Sequence, residues 1–208
     1  MTIWDLPTRL YHWLQAALFI GLIITGFAGK GPHVYLGLGL FTLIMWRFMW
    51  GLMGSETSRF NQFVRSPKTV IRYLTGKHEH QTGHNPAGGW MVILMIVCLL
   101  SQCIAGLIIA DFFNNIPILH LWITNSVVDV STLIHGVTAR LLLLIVALHL
   151  IAIIFYKLRA KPLLWAMIVG KQHNHSGAQI TIISNSRALA VFVGCGLLTT
   201  LIVMMSFI

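Results

Sequence analysis

The sequence is poor in charge. Only 9% of its 208 residues are Asp, Glu, Lys or Arg, where a soluble domain carries about a quarter. That scarcity excludes a water-exposed globule. The acidic residues are scarcer still, and Asp5, Glu56, Glu79, Asp111 and Asp129 all fall at the ends of apolar runs or between them. A carboxylate-driven transporter is expected to place acids within its spans, so their absence there counts against one. Cysteine is limited to Cys98, Cys103 and Cys195, with no C-x-x-C pair. This excludes a zinc ribbon, a redox dithiol and covalent c-type haem attachment. All three cysteines lie in apolar runs and read as packing residues. No small-residue cleavage pattern follows the first apolar run, so no cleavable signal peptide is expected. There is no internal repeat.

What is abundant is apolar surface, at 57% of residues. A bilayer core needs about 20 apolar residues per helix. Five runs meet this, from Leu10 to Ala28, Val34 to Met53, Gly88 to Ala110, Leu133 to Tyr156, and Ala188 to the end. The expected fold is an all-α integral membrane protein that spans the lipid bilayer. Lys and Arg total 14. In a soluble chain that excess would suggest nucleic acid; here it orients the spans, and no nucleic-acid partner is expected. Arg9 precedes the first run, and Arg59, Arg65, Lys68, Arg72 and Lys77 separate the second from the third. Lys157, Arg159, Lys161, Lys171 and Arg187 separate the fourth from the fifth. The first link has only Lys30, and the third has no Lys or Arg. The positive-inside rule then puts the N-terminus in the cytoplasm and the C-terminus outside.

Histidine is the other surplus, with 10 in the chain. Four sit within or at the ends of runs: His12, His33, His135 and His149. A polar group in hydrocarbon costs several kcal/mol unless satisfied, so such residues are functional candidates. His135 and His149 are close to four helical turns apart, on nearly one face and about 21 Å apart along the axis. The topology places His12 with His149 at the inner level and His33 with His135 at the outer level. Two imidazoles facing each other across a bundle core suit the axial positions of haem iron. A proton relay or a metal-ion transporter without haem is the alternative that spacing leaves open.

The run Trp4-Asp5-Leu6-Pro7-Thr8-Arg9-Leu10-Tyr11-His12-Trp13 resembles the opening of bacterial di-haem cytochrome b proteins, a superfamily that includes prokaryotic cytochrome b561 and the cytochrome b subunits of nickel-iron hydrogenases. Gly83-His84-Asn85-Pro86-Ala87-Gly88-Gly89 resembles the family's entry to its third helix. His135 to His149 with Ala152 and Tyr156 resembles the fourth helix, and Met167, Gly170 and Lys171 the motif after it. The resemblance covers roughly residues 1–171. It implies a four-helix transmembrane haem-binding bundle in residues 1–171, with residues 172–208 forming a linker and an added fifth helix. It also implies two non-covalent haem b groups on His12, His33, His135 and His149, and electron transfer between quinone and a periplasmic redox protein, in the bacterial inner membrane. A homo-oligomer is compatible with the sequence.

Arg140 lies between the two ligands of the fourth run, where an unpaired Arg is expensive. A haem propionate matches it in charge and shape, against the alternative that it snorkels or lines a wet cavity. Arg9 and Arg47 serve an inner propionate or act as topology anchors. Gly21, Gly26, Gly37 and Gly106 allow close approach of helices or of a flat macrocycle. Trp4, Trp13, Trp46, Trp50, Trp90 and Trp165 near run ends read as an interfacial belt. His78, His80 and His84, and His173 with His175, raise a weaker metal reading; His84 also suits a quinone contact, and His120 a partner or quinone site outside. Two further activities are in play: oxidation of superoxide with electrons passed to quinone, and membrane anchoring of a hydrogenase.

Overall fold

The computed structural model describes residues 2–76, 85–159, 163–171 and 180–207. The described part is helical, with one isolated bridge between Thr2 and Lys171 and no strand among the described residues. The chain is an all-α integral membrane protein: five of its helices are long and apolar enough to cross a membrane.

Helix α1 spans Leu6–Ala28. Asp5 caps it, with Oδ1 accepting from the Thr8 N–H at 2.8 Å, and Pro7 stands in the first turn, where no N–H is needed. Gly29, in the left-handed conformation, ends it. Helix α2 spans His33–Met53, only four residues after α1, so the two are antiparallel neighbours. Two short helices follow, α3 at Phe60–Phe63 and α4 at Pro67–Leu74. Helix α5, Pro86–Ile109, has Asn85 as its cap, whose Oδ1 accepts from the Gly88 N–H at 2.7 Å. Helix α6 covers Asn125–Leu158. It begins eight residues before the expected run because Thr124, not the first apolar residue, caps it. Helix α7 is Leu163–Val169 and α8 is Asn185–Met205.

The main core lies between α2, α5 and α6, built from Leu40, Ile44, Ile96, Leu99, Leu107, Leu142 and Ile145. Cys98 and Cys103 pack in it, and Cys195 packs between α8 and α2; all three are buried and unpaired. Most other large apolar side chains face outward, as lipid-facing surface requires.

The two ends of the bundle differ. At one, here the cap end, the N-terminal segment is tied down. The N–H groups of Ile3 and Trp4 donate to the Gly170 carbonyl at 2.8 and 3.2 Å. Gly170 has φ +79°, and a Cβ there would stand 2.8 Å from the Trp4 carbonyl oxygen, so only glycine fits. Thr57 donates to the Ile3 carbonyl, and the Thr8 and Ser58 hydroxyls are 2.7 Å apart. The segment before α8 joins the same cap, because the Ile183 N–H donates to Ser55 Oγ. At the other, the link end, lie the α1–α2 turn and the α5–α6 link.

The tryptophan belt is corrected in part. Trp13, Trp90 and Trp165 are exposed near helix ends, but Trp4, Trp46 and Trp50 are buried. Their polar edges are consumed internally: Trp46 donates to the Ala188 carbonyl and Trp50 to Asp5, and the two rings stack at 5.5 Å.

Candidate functional site

His33 is the first residue of α2 and His135 stands in α6. The fold brings them together, with ring centroids 6.2 Å apart and planes at 72°. Each ring is fixed through Nδ1. The Thr25 hydroxyl, near the end of α1, lies 3.0 Å from His33 Nδ1 and donates to the Gly21 carbonyl at 2.8 Å. With its proton given to that carbonyl, the oxygen is left to accept from His33, an arrangement that suits a proton on Nδ1. His135 Nδ1 is 3.1 Å from the Gln102 carbonyl oxygen, which can only accept. With Nδ1 protonated, each neutral ring presents Nε2 as a lone-pair donor, the form in which imidazole ligates a metal.

The two rings border a cavity of about 600 Å³ between α1, α2, α5 and α6. Lys30, Gln102, Arg140, Gly26 and Gly106 also line it. Gly26 lies against His33 and Gly106 against His135: a Cβ on either would stand 3.1 or 3.2 Å from the ring Cε1. The spacing suits one metal between two imidazoles. Two metal–nitrogen bonds of about 2 Å, with about 1 Å from each nitrogen to its ring centre, sum to roughly 6 Å. Among the described residues no group of three or more His, Cys, Asp or Glu is placed to hold an ion. A closed zinc-type centre is thus not built by them, and a two-histidine axial set fits a haem.

The second pair lies nearer the cap end. His12 is within the second turn of α1, and His149 stands in α6. His12 Nδ1 and Gln15 Oε1 are buried and have no hydrogen-bond partner among the described residues. Two turns beyond His149, Tyr156 receives a hydrogen bond from Asn85 Nδ2 at 3.0 Å and meets the Tyr73 hydroxyl at 2.8 Å. This joins α4 to α6. Burial, followed by the Tyr156 hydroxyl, pushes the Tyr73 phenol above its usual range.

The arginines separate into two kinds. Arg140 is exposed on the cavity wall. Arg47 is buried, donating to the Ser58 carbonyl at 3.1 Å and lying over the Phe60 and Phe63 rings. Arg9 donates to the Ile168 carbonyl at 2.6 Å, while its Nε is buried without a partner among the described residues. His120 is exposed in the 3-10 turn Leu119–Leu121 of the α5–α6 link. His78, His80, His84, His173 and His175 lie outside the described residues.

Thr25 and Gln102 were not expected from the sequence. Thr25 looks like any small residue of an apolar span, and Gln102 acts through its backbone. The one available signal was that Thr25 falls one turn before the helix-ending Gly29.

No curated protein and no solved structure matches the chain. The profile of prokaryotic cytochrome b561 matches residues 3–170, which covers α1 to α7 and leaves α8 outside. The chain therefore belongs to the prokaryotic cytochrome b561 family, whose members transfer electrons across membranes with haem b.

Proposed function

We propose that the chain carries electrons across the bacterial inner membrane through two haem b groups, between the quinone pool and a redox protein outside. In this reading His33 and His135 hold one haem at the link end, and His12 and His149 hold the other at the cap end. The N-terminus is cytoplasmic, which places the link end outside. A haem b with imidazole on both axial positions stores and releases one electron without taking substrate at the iron.

The observation that carries the reading is the His33–His135 pair, 6.2 Å apart across an apolar cavity with each Nδ1 already occupied. The residues' tasks follow from that arrangement. Thr25 and the Gln102 carbonyl hold the rings in the ligating tautomer. Gly26 and Gly106 leave room beside them. Arg140 supplies positive charge where a propionate needs it, and Arg9, whose Nε has no partner among the described residues, is the corresponding group at the cap end. Arg47 is committed to the cap, so anchoring accounts for it better. The Tyr73–Tyr156–Asn85 cluster lies between the cap-end pair and the cytoplasmic surface, where a quinone headgroup would find hydroxyl and amide partners.

A second reading is favoured by the cavity lining. Lys30 and Arg140 are its charged residues, and both are positive. This suits a small anionic electron donor such as superoxide, with the electron passed on to quinone.

The test is a reduced-minus-oxidised spectrum of the detergent-purified protein with haem counted per chain, repeated for His33→Ala and His149→Ala. Two low-spin b haems falling to one in each variant is the expected result. A folded, colourless wild type would replace this reading with that of a haem-free transporter.

A further inference from the structure

The two histidine pairs are supported differently. At the cap end, His12 Nδ1 has no partner among the described residues. At the link end, His33 Nδ1 meets a hydroxyl whose own proton is already spent on Gly21. That hydroxyl is delivered by an unusual turn. Only four residues separate α1 from α2, and among them Gly31 has φ +96° and would place a Cβ 3.1 Å from Thr25 Cγ2. The His33 N–H in turn donates to the Gly31 carbonyl at 2.9 Å. The turn thus folds back onto the Thr25 methyl group and sets the ring of His33 on the Thr25 oxygen. The methyl packs the turn; the oxygen meets the ligand.

We propose that Thr25 is a positioning residue for the link-end haem: its hydroxyl holds the Nδ1–H of His33 and so makes His33 a stronger donor to iron, lowering the reduction potential of that site alone. The inference rests on the assignment of His33 as an iron ligand. Its physical basis is that an acceptor on the outer nitrogen of a ligating imidazole raises the ligand's basicity, which favours the more positive oxidation state of the metal. The relay runs Nδ1–H to Thr25 Oγ1 and Thr25 O–H to the Gly21 carbonyl, so each donor has one acceptor and no buried proton is left over.

Thr25→Val keeps the shape and the methyl group but removes the acceptor. Thr25→Ser keeps the acceptor and removes the methyl. An equilibrium redox titration followed in the visible, on purified haem-loaded wild type and both variants, separates the two roles. His33→Ala identifies which midpoint belongs to the link end. The expected result is a link-end midpoint raised in T25V by up to a tenfold change in the ferric–ferrous equilibrium, about 59 mV for one electron. The cap-end midpoint stays in place, and T25S titrates as wild type. If T25V loses the link-end haem while T25S keeps it at the wild-type midpoint, the hydroxyl is again the operative group. Unchanged midpoints in T25V, or equal shifts or equal haem loss in T25V and T25S, overturn the proposal and leave the ligand assignment standing. A wild type without haem, or H33A with both haems, overturns the ligand assignment itself and is visible before any potential is measured.

Discussion

Trp50 Nε1 donates to Asp5 Oδ2 at 3.0 Å, while Asp5 Oδ1 accepts from the first turn of α1. One carboxylate thus starts α1 and clamps it to the end of α2, with both partners buried. Asp5→Ala removes a helix cap, worth about 1 kcal/mol, and strands a buried indole N–H, costing about 1–3 kcal/mol more. Asp5→Asn retains an acceptor and a good cap, so it costs clearly less. Thermal denaturation in detergent should rank the three proteins wild type, D5N, D5A. Equal midpoints for D5A and wild type would mean that the clamp is not formed in the membrane protein.

Gly26 and Gly106 each leave room beside a histidine ring. A Cβ at either meets the ring of His33 or His135 at 3.1 or 3.2 Å. Alanine is the better helix former by about 1 kcal/mol, and overpacking costs about 1–3 kcal/mol, so overall stability is a poor readout. Haem per chain is the better one. G26A and G106A should each lower link-end haem occupancy while leaving the cap-end haem, and G194A on α8, with nothing within 4 Å, should alter neither.

These cases show what the sequence could and could not disclose. The five spans were legible because hydropathy needs no tertiary context, and all their boundaries but one fall within about four residues of the helix ends. The start of α6 was missed because its first stretch behind the Thr124 cap mixes valines with Asn, Ser, Asp and Thr and so forms no continuous apolar run. The four histidines stood out in the sequence as candidates because imidazole in an apolar run is expensive. Helix direction and rise alone put His33 and His135 at one level, and the fold brings those two rings together. What supports them was not legible, since Thr25 is ordered by a four-residue turn and Gln102 contributes a backbone oxygen that every residue has. Trp46 and Trp50 were misread for a related reason. Nearness to a span end is visible in the sequence, whereas the internal acceptors Ala188 and Asp5 are fixed by the fold.

Tyr73 gives a prediction in pH. Its phenol binds its proton more tightly in the folded state, through burial and then the Tyr156 hydroxyl. The stability it contributes is therefore fully present below the unfolded tyrosine value of about 10 and is lost as pH rises beyond it. Tyr73→Phe removes one hydrogen bond, about 0.5–1.5 kcal/mol. The gap between wild type and Y73F should be constant from neutral pH to about 9 and close above about 10. A gap that widens with alkali would show that the phenol is favoured as phenolate.

The fifth helix tests how far the family core stands alone. Thr42 donates to Thr199 at 2.8 Å, and Trp46 donates to the Ala188 carbonyl at 3.0 Å. Hydrogen bonds between helices in a bilayer average about 0.6 kcal/mol. Thr199→Val should therefore cost well under 1 kcal/mol, and a T42V/T199V cycle should return a coupling of about that size. Neither variant should change haem content, because neither residue borders the cavity. Loss of a haem in T199V would place α8 in the working core.

Arg140 and Arg47 carry the same charge in opposite circumstances, and substitution should separate them. Arg140 lies on the cavity wall five residues, about 7.5 Å of helix rise, beyond His135. A positive charge there favours the reduced, more negative state of a haem held by His135. At about 10 Å and an effective dielectric constant of about 20, the interaction is on the order of 1.5 kcal/mol, so Arg140→Gln should lower the link-end midpoint by up to about tenfold in the ferric–ferrous equilibrium. It should leave the cap-end midpoint and the melting temperature nearly unchanged. Arg47 is buried, bonded to Ser58 and covered by Phe60 and Phe63. Arg47→Gln removes that cover's partner and strands a buried carbonyl, costing about 1–3 kcal/mol of stability. If R140Q leaves both midpoints fixed, its charge is screened by water at the cavity mouth. If R47Q shifts the cap-end midpoint without lowering stability, the guanidinium faces a propionate in the loaded protein instead of serving the cap.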